Sequence, residues 1–476
     1  MTNSKNHSSR SDIRRRTFLA GTLGTGICSA SLGILPNVYA VKANGGTFSV
    51  GEGVVDTTPP LGIEMGGFHR VPGNERRVEG IRQPTAARAL VLQLGDAQVA
   101  LISLDLAGAS DEVARRIQQQ VAVATQIPAA NVRVCSTHTH SMPAFLYLRQ
   151  WGAIPEDYMS TVENKAVEAV KLAQADLAPA KLLVGKSRAV GGNFNRTTKD
   201  FKSDDLFGAN STDSERWLDT MVRVLYFERS GDKPNLLWYH FSAHPVCYAD
   251  EQAGPDWPGL VRQRVIESLH VAPSFLQGHA GDVNPGAGDP WRGDAEQTAQ
   301  AVHAAIEEAM HNLKEVPVTT LRMQTTSHGV ALNLDMFNAW LQRYRDNPEL
   351  CASHDWVDAG FAQAWYESNF NRPSDRKELP VMISAMQIGE VGFIFHPSEL
   401  YSYYGLAIQR SSPLSETFVV GYTDGLIGYL TDAAAYRNGE YEALTVPKIL
   451  DIPPFTSTAA AELTAAVVQL LERTVA

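Results

Sequence analysis

Residues 134–143 read VCSTHTHSMP, an apolar run that ends on His138 and His140 with one threonine between them. In an extended segment side chains alternate faces, so the two imidazoles are expected to project to the same side and aim at one point. A metal site and a hydrogen-bonded polar cluster at a sheet edge both fit such a pair. Zinc takes three or four nitrogen, oxygen or sulfur donors at roughly 2.0–2.3 Å, and enzymes gather them from segments far apart in sequence. The fold therefore turns on whether other strands end in reactive side chains as this one does.

They do. Apolar runs recur at ARALVLQLG, QVALISLDLA, VRVCST, AKLLVGK, MVRVLYFE, NLLWYHFSA, SFLQGH, VMISAMQI and VGFIFHPS, several of them nearly continuous, as in strands buried on both faces. Helical patterns lie between them at 111–124, 155–173, 258–269, 295–313 and 459–473, with Ser110 placed to cap the first. This alternation predicts an α/β fold: a mixed central β-sheet structure flanked by helices, with a site at the strand ends. There is no internal repeat and no low-complexity tract. Residues 333–377, rich in aromatic and polar side chains, are read as two helices (336–346 and 358–370) that either cover a site or form an ordinary excursion.

Five further places interrupt strands with chemistry-bearing groups. WYHFSAHPVCYAD puts His244 just past a strand, and FLQGHAGDVNPGAGD puts His279, Asp282 and Asn284 in a glycine-rich turn. GGNFNRTT offers Arg196, and FIFHPSELYSYYG offers His396 and Glu399. GYTDGLIGYLTDAAAYRNGEYE offers Tyr422, Tyr429, Tyr436 and Tyr441.

Six short motifs (HTHSMP, AHPV, NFNRT, AGDVNP, HPSE and YLTDAAAYRNGEY), spread over residues 46–445, resemble the neutral/alkaline ceramidases, zinc amidases that split the N-acyl bond of ceramide. The resemblance implies one Zn²⁺ per chain held by His138, His244, Glu399 and Tyr429. It implies that His140 faces the reacting amide and that Arg196 and Tyr441 hydrogen-bond the substrate around its carbonyl. Gly67 in EMGGF corresponds to a glycine whose backbone lines the pocket. Two imidazoles and a carboxylate leave zinc one net positive charge and room for water, whose pKa falls toward ~7 in such sites. The expected reaction is attack of zinc-bound hydroxide on an amide. Arg196 or the metal would stabilise the oxyanion, and His140 would pass a proton to the leaving amine.

The sequence departs from the family pattern in three places. The turn that usually reads G-D-V-S-P-N is GDVNPG here, with Asn284 in place of a serine; an amide cannot act as nucleophile but can donate an N–H to an oxyanion or orient water. His279 stands where the family has asparagine and is expected at the pocket wall. No immunoglobulin-like C-terminal domain is expected after the catalytic domain, which weakens ceramide as substrate more than it weakens amide hydrolysis. An N-acyl amine or lipid-like small molecule is the expected substrate. The rival readings are a zinc esterase or lactonase on the same fold, and an exported homologue that only binds a ligand.

Several other groups are read as structural. His240 is expected to be a core histidine, and His69, His270, His303, His311, His328 and His354 are read as surface or structural residues. His396 is read as a hydrogen-bonding partner of the ligands, with a substitute ligand as the alternative. Asp105 has either a structural or a supporting role.

The chain has 476 residues, 44% hydrophobic and 20% charged, which is ample for a large core. Its start, SDIRRRTFLAGTLGTGICSASLGILPNVYA, runs from Arg14, Arg15 and Arg16 through an uncharged apolar stretch to Ala40. It reads as a twin-arginine signal (residues 1–40) cut after Ala40, ahead of a catalytic domain at 41–476. The expectation is export in the folded state by the twin-arginine machinery to the periplasm or medium, with no transmembrane segment. Removing residues 1–40 takes Lys5, Arg10, Arg14, Arg15, Arg16 and Asp12 from 41 basic and 52 acidic side chains, leaving 36 against 51 and a net charge of −15. Nucleic acid is excluded as a partner on that charge. Cys135, Cys247 and Cys351 then remain, an odd number, read as buried thiols with a Cys135–Cys247 bond as the alternative.

Overall fold

The computed structural model describes residues 39–348, 359–371 and 376–476. The expected signal segment, apart from Tyr39 and Ala40, lies outside the described residues, as do Cys351 and His354.

Two sheets organise the chain. The larger has nine strands, eight of them in the order Pro273–Gln277, Leu236–Phe241, Met221–Arg229, Ala178–Arg188, Phe48–Asp56, Ala86–Leu94, Ala97–Leu104, Val132–Ser136. The short Lys314–Val316 strand also pairs with Ala178–Arg188. The pairing is antiparallel in the middle and parallel at both ends, where Leu236–Phe241 lies beside Pro273–Gln277 and Ala97–Leu104 beside Val132–Ser136. The smaller sheet runs Tyr39–Asn44, Thr320–Ala331, Glu378–Ile388, Val391–Phe395, Glu416–Val420, and its last pair is again parallel.

Strands in a flat sheet lie about 4.8 Å apart, so residues six strands apart could not meet. Here Ser103 Oγ donates to Phe275 O at 2.7 Å, and Glu52 Oε1 accepts from both Trp238 Nε1 and Ser274 Oγ at 2.8 Å. The large sheet is therefore curled, and its two edge strands approach each other. Residues 421–424 lace that seam: Gly421 N donates to Gln277 O, Ser136 N to Tyr422 O and Asp424 N to Val134 O.

Period-two alternation sorts the strand residues. Leu90, Leu92, Leu101 and Trp238 point into a core shared with Met323, Met386, Phe393 and Phe418 of the small sheet. Ala87, Ala89, Val91, Ala100 and Ile102 face the helices Asp111–Thr125 and Glu156–Ala175 on the other side. Ser110 caps the first of these helices, its Oγ accepting from Val113 N at 3.2 Å. The helices Leu334–Asp346 and Ala359–Asn369 join through Phe337, Trp340 and Trp365. Phe361 of the second reaches the ring of His69, 6.2 Å away between centroids.

The α/β architecture matches the sequence expectation, but five of the strands in these two sheets lie outside the runs read as strands. Phe48–Asp56 contains Gly51 and Gly53, which break its apolar pattern. The structure gives the reason: a Cβ on Gly51 would stand 2.0 Å from Ala173 O, and one on Gly53 2.0 Å from Ala169 O. The glycines let the Glu156–Ala175 helix lie directly on the strand. Thr320–Ala331 buries only alternate positions and carries polar side chains on the others. Cys135 and Cys247 are both free thiols, so they do not form the alternative disulfide.

Candidate metal centre and cavity

Three parallel strand pairs end at one place. Val132–Ser136 leads to His138, Leu236–Phe241 to His244, and Val391–Phe395 to Glu399, while Glu416–Val420 delivers Tyr422. His138 and His140 do converge, but not by strand alternation. The strand stops at Ser136, and His138 adopts a left-handed backbone with φ +64°, a conformation that costs an L-residue about 1–2 kcal/mol. Side-chain hydrogen bonds hold the geometry instead.

Each of the three imidazoles is fixed by a backbone carbonyl. Nδ1 of His138 lies 2.6 Å from Ala107 O, Nδ1 of His140 lies 2.7 Å from Gly67 O, and Nδ1 of His244 lies 2.9 Å from Val283 O. A carbonyl only accepts, so each Nδ1 carries the proton and each Nε2 presents a bare lone pair. Those lone pairs crowd together. His138 Nε2 is 3.1 Å from His140 Nε2 and 3.3 Å from Glu399 Oε2; His244 Nε2 is 3.1 Å from the same oxygen and 3.3 Å from Tyr429 Oη.

Lone pairs facing a carboxylate repel unless a cation stands between them. For bonds of ~2.0–2.1 Å, tetrahedral zinc requires donor–donor separations of about 3.3 Å. The donor set present fits that ion in both chemistry and spacing. Among the described residues, His138, His140 and His244 form the one His/Cys/Asp/Glu group compact enough to hold a metal, and all three are buried. The nearby imidazoles hold the Glu399 carboxyl below the usual carboxylate range despite its burial, and burial first of all pushes His244 down to about 4 and His140 well below 6.5. Tyr422 stacks on His138 with centroids 4.4 Å apart and brings its hydroxyl to 3.5 Å from Glu399 Oε2.

Above this group opens a cavity of about 620 Å³. His140, Glu399, Tyr429, Arg196, Tyr441 and Gly67 line it; His138 and His244 do not. Gly67 has φ +94°, and a Cβ there would lie 2.5 Å from His140 O. Arg196 ion-pairs with Glu442 at 2.8 Å, lies over the Tyr429 ring and reaches Asn284 Oδ1 at 3.4 Å. Asn284 is fully buried, with its Nδ2 donating to Trp291 O at 2.8 Å, so its amide ties Arg196 to the 286–293 loop.

His279 differs from expectation. It is not among the cavity-lining residues; it is buried with Nε2 3.2 Å from Asp219 Oδ2, and its ring fills the space that a side chain on residue 405 would need. His240 is a core histidine bonded to Val419 O. His396 pairs with Ser398 Oγ through Nδ1, and Asp105 is a structural partner of Arg88 and Ala86 N. Conversely His69, set aside as structural, lines the cavity beside Phe68, Arg70 and Trp151. The stretch EMGGFHR carried that signal, but only its glycine was singled out.

Residues 48–254 match the family model described as neutral/alkaline non-lysosomal ceramidase, N-terminal. Over that stretch the chain is similar to that family. A curated relative, neutral ceramidase of Mycobacterium tuberculosis (strain ATCC 25618 / H37Rv), is 27% identical over 281 residues, which are 51% of this chain and 41% of that protein. The chain thus spans less than half the length of this relative. Two solved structures share the ceramidase-family fold. Neutral ceramidase from Pseudomonas aeruginosa aligns with TM-score 0.66 at 18% identity, covering 89% of this chain and 74% of that one. A ceramidase complexed with C2 aligns with TM-score 0.68 at 16% identity, covering 89% and 75%. The family-model match includes His138, His140, Arg196 and His244; Glu399, Tyr429 and Tyr441 lie beyond its end.

Proposed function

We propose that this protein is a zinc-dependent hydrolase of linear N-acyl amides. The observation that carries the reading is the convergence of bare Nε2 lone pairs on the Glu399 carboxylate at the base of a cavity. His138, His244, Glu399 and Tyr429 would hold the ion. When bound, zinc lowers the pKa of water toward ~7 and so supplies a nucleophile at neutral pH.

The remaining steps belong to the chain. His140 is neutral at rest, because burial and the neighbouring histidines oppose its charging. With Nδ1 committed to Gly67 O, only its Nε2 exchanges protons. That nitrogen takes the proton released as water adds to the amide carbon, and returns it to the departing amine nitrogen. The Arg196 guanidinium and the Tyr441 hydroxyl donate to the carbonyl oxygen as negative charge develops on it. Asn284 positions Arg196 and has no bond-making role. Being exposed to the cavity while His138 and His244 are not, His140 suits the substrate-facing role.

Elemental analysis of wild type and of His138→Ala, His244→Ala and Glu399→Ala, alongside turnover of a fluorogenic N-acyl amine, tests the reading. Metal and activity are expected to disappear together; an active metal-free protein would end it. A matched ester panel separates amidase from esterase. Export by the twin-arginine route belongs to the same proposal and rests on Arg15, Arg16 and the Thr17-Phe18-Leu19 and apolar stretch after them. Among the described residues no helix is long and apolar enough to cross a membrane.

A further inference from the structure

Charge is distributed unevenly around the cavity. Its three carboxylates are all engaged: Glu399 by the histidines, Glu442 by Arg196, and Glu440 by Arg216 at 2.5 Å and Tyr401 at 3.1 Å. The opposite wall holds the reverse case. Arg76 and Arg292 lie over the Phe68 ring with guanidinium carbons 4.9 and 5.9 Å from its centroid, and Arg70 follows two residues on. Arg70 and Arg292 line the cavity itself.

Among the described residues none of these three arginines has an ion-pair partner. Arg76 is buried and donates only to the backbone oxygens of Gly66, His140 and Asp250. Arg70 likewise donates to His69 O and Ala249 O. The Asp250 side chain belongs to Arg82. Burial and then the neighbouring Arg70 push the Arg76 guanidinium down to about 10, although Glu251 and Asp250 act in the other direction. In a chain of net charge −11 this is a concentrated positive site. Arg76 and Arg292 over one ring, with Arg70 near enough to oppose the charge of Arg76, repel each other unless an anion joins them.

From this we infer that the substrate carries an anionic group, a carboxylate or a comparable oxyanion, which Arg70 and Arg292 bind. Phe68 sits edge-on to His140 at 5.6 Å between centroids, so the anion site is one aromatic ring away from the proton-transferring histidine. An α-carboxylate on the scissile nitrogen is too near to reach it. A carboxylate several bonds further along fits. Leu148, Leu426, Val446 and Ile449 on the other lining then receive the apolar part of the substrate. This inference rests on the proposed amide hydrolysis and specifies its substrate class.

The test compares N-dodecanoyl-6-aminohexanoate with N-dodecanoylhexylamine, which has a methyl in place of the carboxylate. For the metal-loaded wild type at low salt, kcat/KM should favour the acid by roughly tenfold or more, and the preference should shrink as salt is added. In the Arg70→Gln/Arg292→Gln protein the ratio should fall close to one. If the double variant does not fold, Arg292→Gln alone, at an exposed position, should still lower the ratio. Cleavage of both compounds at equal rates, or a preference that survives the double substitution, overturns the inference and leaves amide hydrolysis standing. Cleavage of neither compound overturns both.

Discussion

Replacing Gly67 with alanine isolates the role of His140. The new Cβ would stand 2.5 Å from His140 O and 2.6 Å from its Cα and Cβ, where ordinary contact needs at least 3.4 Å. No rotamer relieves this, because the obstructing atoms are mostly backbone. The loop or the histidine must move by about 1 Å, and φ +94° adds strain of about 1–2 kcal/mol for any L side chain. Overpacking of this kind costs a further ~1–3 kcal/mol. The Gly67 O acceptor that fixes the His140 tautomer shifts as well. Displacement of a catalytic group by 1 Å costs on the order of 10²-fold in rate. Since Gly67 presses on His140 and not on His138 or His244, bound metal should be retained while kcat collapses. Steady-state kinetics, elemental analysis and thermal unfolding of Gly67→Ala read the three quantities separately. Wild-type kcat would refute the proton-transfer role of His140, and loss of the metal would make His140 a ligand.

Three other outcomes are expected. Asn284→Ala should lower kcat by on the order of tenfold without abolishing it, since Arg196 keeps Glu442 when it loses the amide; the residual rate in a sensitive assay is the check. Gly53→Ala forces a Cβ to within 2.0 Å of Ala169 O and should destabilise the protein by about 1–3 kcal/mol or more in urea titration. The third concerns pH. Burial, before any other cause, lowers His240 and His396 to about 3. The unfolded chain therefore binds more protons than the folded one between pH 6.5 and 3. Stability from these groups is complete above pH 6.5 and is lost as pH falls through that window, by up to ~1.4 kcal/mol per unit for each histidine. Replacing His396 by asparagine should flatten the pH dependence of urea unfolding between pH 7 and 5, and an unchanged slope would refute the assignment.

How legible this was in the sequence depended on what each element does. Strands that pack on both faces, such as Ala97–Leu104 and Val132–Ser136, appear as apolar runs. A strand whose glycines admit a helix, Phe48–Asp56, does not. The ends of parallel strands revealed His138, His244 and Glu399, because a histidine or carboxylate directly after an apolar run has few structural reasons to be there. The curl of the large sheet was invisible, for it shows only in pairs such as Ser103 and Phe275, 172 positions apart. So was the arginine wall. Arg70, Arg76 and Arg292 look like ordinary surface cations until the fold sets Arg76 and Arg292 over the Phe68 ring with Arg70 nearby. His279 misled because a glycine-rich turn suggests a pocket, whereas its partner, Asp219, comes from another segment of the chain.

The seam of the curled sheet is closed by residues 421–424, which arrive only after His138, His244 and Glu399 have been made. A chain that ended before residue 421 would lack the bonds that tie Val134 and Ser136 to Gln277 across the seam. Under the proposed reading, metal capture is expected late in synthesis, after this seam has closed.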